Sequence, residues 1–212
     1  MSKTTNIEDL IKSNIPSEYF NPKFSRNWEN CNEAECYTRC GQPYYAPVGF
    51  QSIGIRVKDF DENTIIAYHG VRIESLPSII MNGFRLPSEI EGVRKGHIPL
   101  NNTVFGIDNY ADAIFVTPSI KYASLFGVQS ENVLGNSNIK LIVVLQVRIK
   151  PNSYQVLPNS TLYNINDPHF NDQQIDWRVT DPKNVIPYRI LYKTVTNNDF
   201  MNLYSHKSIA SS

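Results

Sequence analysis

The longest unbroken apolar run in this chain covers residues 141–145, and that shortness constrains the fold more than any other feature. A run of that length fills one strand. It cannot supply a membrane span, which takes about 20 apolar residues. Elsewhere the apolar residues come in short bursts. Ile53, Ile55 and Val57 alternate with Gly54, Arg56 and Lys58, the period of two expected of a half-buried strand. Residues 64–68, 113–117, 141–149, 154–157, 176–180 and 185–193 read as further strands, the last with Ile186, Tyr188, Ile190 and Tyr192 on one face. Helical signals are few. Residues 7–11 suit one short helix. Ser75 can cap another, with Pro77 in its first turn and Gly83 as its left-handed stop, and Ser119 can cap a third that runs to Phe126. About eight short strands with two or three short helices, lacking a regular strand-helix alternation, predict an α+β domain of two packed, mostly antiparallel sheets. No G-x-G-x-x-G and no P-loop occurs, so a bound dinucleotide would not sit in a Rossmann arrangement.

Composition narrows the function classes. Lys plus Arg and Asp plus Glu number 20 each, a formal net charge of zero. Phosphate neutralisation needs a basic surplus or a basic face, so nucleic acid is not the favoured partner, although Arg94-Lys95 could form a local patch. The N-terminal residues lack the apolar core of a signal peptide, and an intracellular protein, cytoplasmic or nuclear, is expected, with export as an effector left open. No membrane association is expected. The cysteines Cys31, Cys36 and Cys40 are odd in number and spaced C-x4-C-x3-C, unlike the paired C-x2-C of structural zinc sites. Free thiols are the expectation, and no metal site is assigned.

Residues 1–50 hold Asn, Pro, Gly and aromatics with no sustained period. Their aromatic content argues against disorder. We read them as an irregular extension pinned by Tyr37, Tyr44, Tyr45 and Phe50, followed by a domain over 51–198 and a tail over 199–212. Residues 85–112 form a long polar loop containing Gly92, Gly96 and Gly106, and a loop of that length in a compact domain is usually functional.

Two short motifs stand out. His69-Gly70 ends the strand over 64–68, and Ser119-x-x-Tyr122 opens the helix after the strand over 113–117. Each alone has a plain structural explanation: a core histidine, a capping serine, a core tyrosine. Their order and spacing give them weight. The layout resembles the nicotinamide-binding core of ADP-ribosyltransferases of the diphtheria-toxin and poly-ADP-ribose-polymerase kind, over about residues 52–195. That resemblance implies a split NAD+-binding cleft between the sheets with NAD+ as substrate. It implies that His69 bonds a ribose hydroxyl, that the backbone of Gly70 and the hydroxyl of Ser119 bond the nicotinamide carboxamide, and that Tyr122 stacks on the nicotinamide ring. Phe115 stands where many relatives carry a second ring-stacking aromatic. Asp176, in Gln174-Ile175-Asp176, aligns with the catalytic Glu, so the catalytic set is His69, Tyr122 and Asp176.

The chain departs from the family pattern at two places. Asp176 is one methylene shorter than Glu, which sets its carboxylate about 1 to 1.5 Å further back. A displacement of that size can cost on the order of 100-fold in rate. Val71 stands where many relatives have Ser or Thr. The resemblance therefore implies mono-ADP-ribosyl transfer to an acceptor macromolecule, expected to be protein, through cleavage of the nicotinamide glycosidic bond. The alternative is a catalytically inactive module on the same fold that binds NAD+, ADP-ribose or a protein partner. The acceptor and the oligomeric state are not legible in the sequence.

Overall fold

Two long strands form the backbone of the molecule. In the computed structural model, which describes residues 6–57, 62–90, 103–104, 106–129, 134, 138–158 and 166–203, β6 (Ile139–Ile149) and β9 (Val185–Thr196) pair antiparallel along their length. β4 (Ile65–Gly70) pairs with the other edge of β6, and β3 (Gln51–Gly54) with the other edge of β9, giving a four-stranded sheet in the order β3-β9-β6-β4. From Leu141 onward β6 is buried on both faces, which suits a central strand whose residues 141–145 are unbroken apolar. The second sheet is small. β5 (Ile114–Val116), β8 (Trp177–Val179) and β7 (Gln155–Val156) lie antiparallel in the order β5-β8-β7.

A single cluster fills the space between the sheets. Ile65 and Ala67 of β4, Val143, Leu145 and Val147 of β6 and Ile190 of β9 meet Ile114, Val116, Trp177 and Val179 of the small sheet. The two sheets touch at one edge. The Tyr68 N–H donates to the Thr117 carbonyl at 2.7 Å, and the Thr117 N–H returns the bond to Tyr68 at 2.9 Å. That bridge stands by itself rather than in a ladder. This is an α+β fold of antiparallel sheets with four short helices among the described residues: α1 (Ile7–Lys12), α2 (Leu76–Asn82), α3 (Ile120–Phe126) and α4 (Asn197–Leu203).

Several local expectations require correction. The segment before residue 50 is not wholly irregular. β1 (Cys36–Arg39) and β2 (Gln42–Tyr45) form a hairpin, turned by Cys40 and Gly41 at positive φ. Tyr37 is 47% exposed and pins nothing, whereas Tyr44 and Phe50 are buried. Residues 197–203 are helical rather than tail. Lastly, Tyr188 does not share a face with Ile190 and Tyr192. The β6–β9 register slips between Gln146 and Val147, and such a bulge re-aims the side chain it displaces. Ile190 and Tyr192 enter the inter-sheet core. Tyr188 instead lies against the guanidinium groups of Arg148 and Arg189, at 4.9 and 4.8 Å.

α2 forms where expected and ends at Gly83 with φ of 79°, but its start differs: a 3-10 turn over Ile73–Ser75 precedes it, and the Ser75 side chain makes no cap bond. α3 matches its sequence signal fully, since the Ser119 hydroxyl accepts from the Tyr122 N–H at 2.9 Å. Much of the expected 85–112 loop, with Arg94-Lys95 in it, lies outside the described residues. Among the described residues no helix is long and apolar enough to cross a membrane.

Candidate functional site

His69 and Gly70 are the last residues of β4, at the seam where the sheets separate. His69 Nδ1 lies 2.8 Å from the carbonyl oxygen of Phe115 on β5. A carbonyl only accepts, so Nδ1 carries the proton in that bond, and in the neutral ring Nε2 is left as an acceptor. Burial pushes the pKa of His69 below the usual histidine value, and the bond to Phe115 offsets part of that. The neutral, acceptor-bearing ring is thus the form that the fold favours. Phe84, just after α2, packs its edge against the imidazole at a centroid distance of 5.1 Å. This ring therefore joins both sheets and the segment that follows α2.

Gly70 is a glycine for a reason independent of any ligand. A Cβ there would lie 2.2 Å from the Ala123 carbonyl oxygen, 2.7 Å from the Gly127 nitrogen and 2.7 Å from the Phe126 Cβ. α3 crosses β4 so closely that no side chain fits between them. That close approach seats the C-terminal half of α3 against the end of β4.

Ser119 and Tyr122 are both buried. The Ser119 hydroxyl accepts from the Tyr122 N–H and donates to the Asp167 carboxylate at 2.5 Å. Tyr122 belongs to a buried cluster with Phe170 and Ile175, flanked by Tyr45 and Leu125, and Phe126 meets its ring edge-on at 5.2 Å. The stretch just before Asp176 thus closes over the first turn of α3. Lys121 adds a bond from Nζ to the Asn166 carbonyl at 2.7 Å.

Phe115 lies on the face of β5 turned away from the inter-sheet core, directly across from Arg178 of β8. Its ring tilts against Tyr110 at 5.2 Å. The ring contacts of Phe115 and Tyr122 are thus made with different partners, Tyr110 for the one and Phe126 for the other. Arg178 is buried and donates to the carbonyls of Tyr110 and Asn109, at 3.1 and 2.9 Å, which ties the end of the long loop to the small sheet.

Asp176 is buried immediately before β8, and its carbonyl accepts from the Leu157 N–H at 2.8 Å. Because β8 pairs with β5, Asp176 enters the small sheet next to the strand that leads into Ser119. Beside it Trp177 stacks on Tyr154 at 4.4 Å, and its indole N–H donates to the Gln174 carbonyl. A cavity of about 290 Å³ opens here, lined in part by Pro118, His169, Phe170 and Trp177. Another, of about 770 Å³, lies between the ends of α2, β3 and β8, and Phe84 is the residue linking it to His69.

The elements that carry the expected site residues therefore adjoin: β4 meets residue 117 through the Tyr68–Thr117 bridge, α3 follows that residue, and β8, which Asp176 precedes, pairs with β5. The sequence reading missed Asp167, His169 and Phe170. One signal was available: Asp167-Pro168 is a turn-initiating pair, and Asp167 Oδ1 indeed accepts from the N–H groups of His169 and Phe170, at 2.8 and 3.0 Å. Cys31, Cys36 and Cys40 are exposed with free thiols, and among the described residues no group of three His, Cys, Asp or Glu could hold a metal. No protein-family model matches this chain, and no curated protein matches it.

Proposed function

We propose that this protein is an NAD+-dependent mono-ADP-ribosyltransferase that cleaves the nicotinamide glycosidic bond and passes ADP-ribose to an acceptor macromolecule, in the first place a protein. The observation that supports the reading is the adjacency of the elements that carry the three motifs. The strand bridge at Tyr68 and Thr117, the bond from His69 to Phe115 and the crossing of α3 over Gly70 join the end of β4 to β5 and α3, and β5 pairs with β8, which Asp176 precedes.

The chemistry follows from the residue types. His69, with Nδ1 committed to Phe115, offers Nε2 to a donating hydroxyl such as that of a ribose. Tyr122 and Phe115 are the aromatic groups assigned to the nicotinamide ring, and Gly70 and Ser119 are assigned to its carboxamide. When the glycosidic bond breaks, nicotinamide leaves with the bonding pair and positive charge develops on the ribose. A carboxylate at Asp176 stabilises that charge and so lowers the barrier. The acceptor nucleophile then closes the bond to the ribose and releases its proton to solvent. Burial of Asp176 strengthens its field on a developing cation, because the local dielectric is lower than that of water.

A second reading, a non-catalytic module on the same fold, is favoured by the engagement of the Ser119 hydroxyl within the protein and by Asp in place of Glu. Nicotinamide release from NAD+ separates the two. The enzyme reading expects release that falls at least 100-fold in Asp176→Ala and His69→Ala. Release unchanged in both variants would overturn the site assignment. Absence of release with a saturable NAD+ or ADP-ribose isotherm would establish the binding module instead.

A further inference from the structure

We infer that residues 166–170 form a latch that occupies the nicotinamide side of the candidate site and must leave before a ligand can enter. This inference rests on the NAD+ reading above. A serine hydroxyl has one proton to donate. In Ser119 that proton goes to Asp167, while the oxygen accepts from the Tyr122 N–H. A carboxamide oxygen cannot receive the Ser119 proton until Asp167 moves away.

The ring position tells the same story. Phe170 is only 9% exposed and lies in the buried cluster that contains Tyr122, so a flat aromatic group of the protein already fills apolar space that the reading gives to nicotinamide. His169 stacks on Tyr45 of β2 with centroids 3.7 Å apart and planes 6° from parallel, and Phe170 meets the same Tyr45 edge-on at 5.5 Å. Asp167 Oδ1 folds the segment into its turn by accepting from the His169 and Phe170 N–H groups. Lys121 holds its start through the Asn166 carbonyl.

Three of these attachments go to residues of the Ser119–Tyr122 turn, two ring contacts go to Tyr45, and Phe170 also packs with Ile175 and Leu125. The latch therefore binds largely to the motif itself. It is held by a few side-chain bonds, ring contacts and the burial of one phenyl ring, with no strand ladder, so it can open without unpairing either sheet. The apparent affinity of a ligand that needs the open form is reduced by the fraction of molecules that are open.

The test uses the full chain and NAD+ itself. Asp167→Ala and Phe170→Ala are compared with the wild type by calorimetric NAD+ binding and by hydrogen exchange at the His169 and Phe170 amides. We expect faster exchange in both variants and NAD+ binding about tenfold tighter, as for a site open in roughly one molecule in ten. Asp167→Asn keeps a turn-forming acceptor and should move the same way by a smaller factor, which guards against a loss of fold in the harsher changes. Faster exchange with equal NAD+ affinity in all forms would overturn the latch and leave the NAD+ reading standing. Faster exchange with no NAD+ binding in any form would overturn the NAD+ reading and the latch with it.

Discussion

The two sheets are built by different means. The four-stranded sheet rests on long pairings, with β6 and β9 paired over nearly their whole length and side chains such as Leu145 and Ile190 fully buried. The three-stranded sheet has strands of two or three residues, too short for a ladder to fix their position. Side chains do that work instead: Arg178 ties it to Tyr110 and Asn109, Trp177 stacks on Tyr154, and His69 reaches across the seam to Phe115. The lesson is a division of labour. The long sheet supplies a rigid edge, and the short sheet carries the segments leading into Ser119 and Asp176, whose geometry side-chain bonds can adjust.

The seam offers the strongest way to break this comparison. Gly70→Ala forces a Cβ into the backbone of α3, and overpacking of this kind should destabilise the protein by about 3 kcal/mol, read as a lower urea midpoint. A loss near zero would mean that α3 is not held rigidly against β4. Arg178→Ala removes a buried cation that satisfies two loop carbonyls and should cost about 2 kcal/mol. The informative readout is local. Amide exchange in β5 should accelerate well before that in β6. Equal acceleration in both would show that the sheets open as one unit and would erase the distinction drawn here.

The smallest effect concerns pH. Burial holds the pKa of folded His69 below its ordinary value of 6.5, so as pH falls the unfolded chain takes up the proton first. The contribution to stability is present above pH 6.5 and is lost as pH drops through the depressed folded value. Thermal unfolding between pH 7 and pH 5 should therefore show a slope that flattens in His69→Asn, whose amide can donate to Phe115 in place of Nδ1. An unchanged slope would place the acid sensitivity elsewhere.

How far each element could be read in advance follows its source of stability. α3 was legible because its cap is a local event between Ser119 and Tyr122. β6 was legible because an unbroken apolar run suits a central strand. Gly70 was legible as a constraint, but one of its causes was not: the sequence suggested approach to a ligand, and the crossing of α3 requires a glycine there independently. The hairpin of β1 and β2 was missed because its first strand is exposed throughout, which leaves no alternation to detect. The face taken by Tyr188 was misread because a bulge cancels the period of two.

By itself the sequence determined the α+β class, the strand-ending His69-Gly70 and the capped turn at Ser119, since propensity, period and capping act over a few residues. Only the tertiary structure decided that β4 meets the residue after β5 in a single bridge between Tyr68 and Thr117, and that Asp167 and Phe170 close over Ser119 and Tyr122. Those outcomes join residues about fifty positions apart in the chain. At that separation it is the packing of the whole core that sets which groups meet, and no local pattern encodes it.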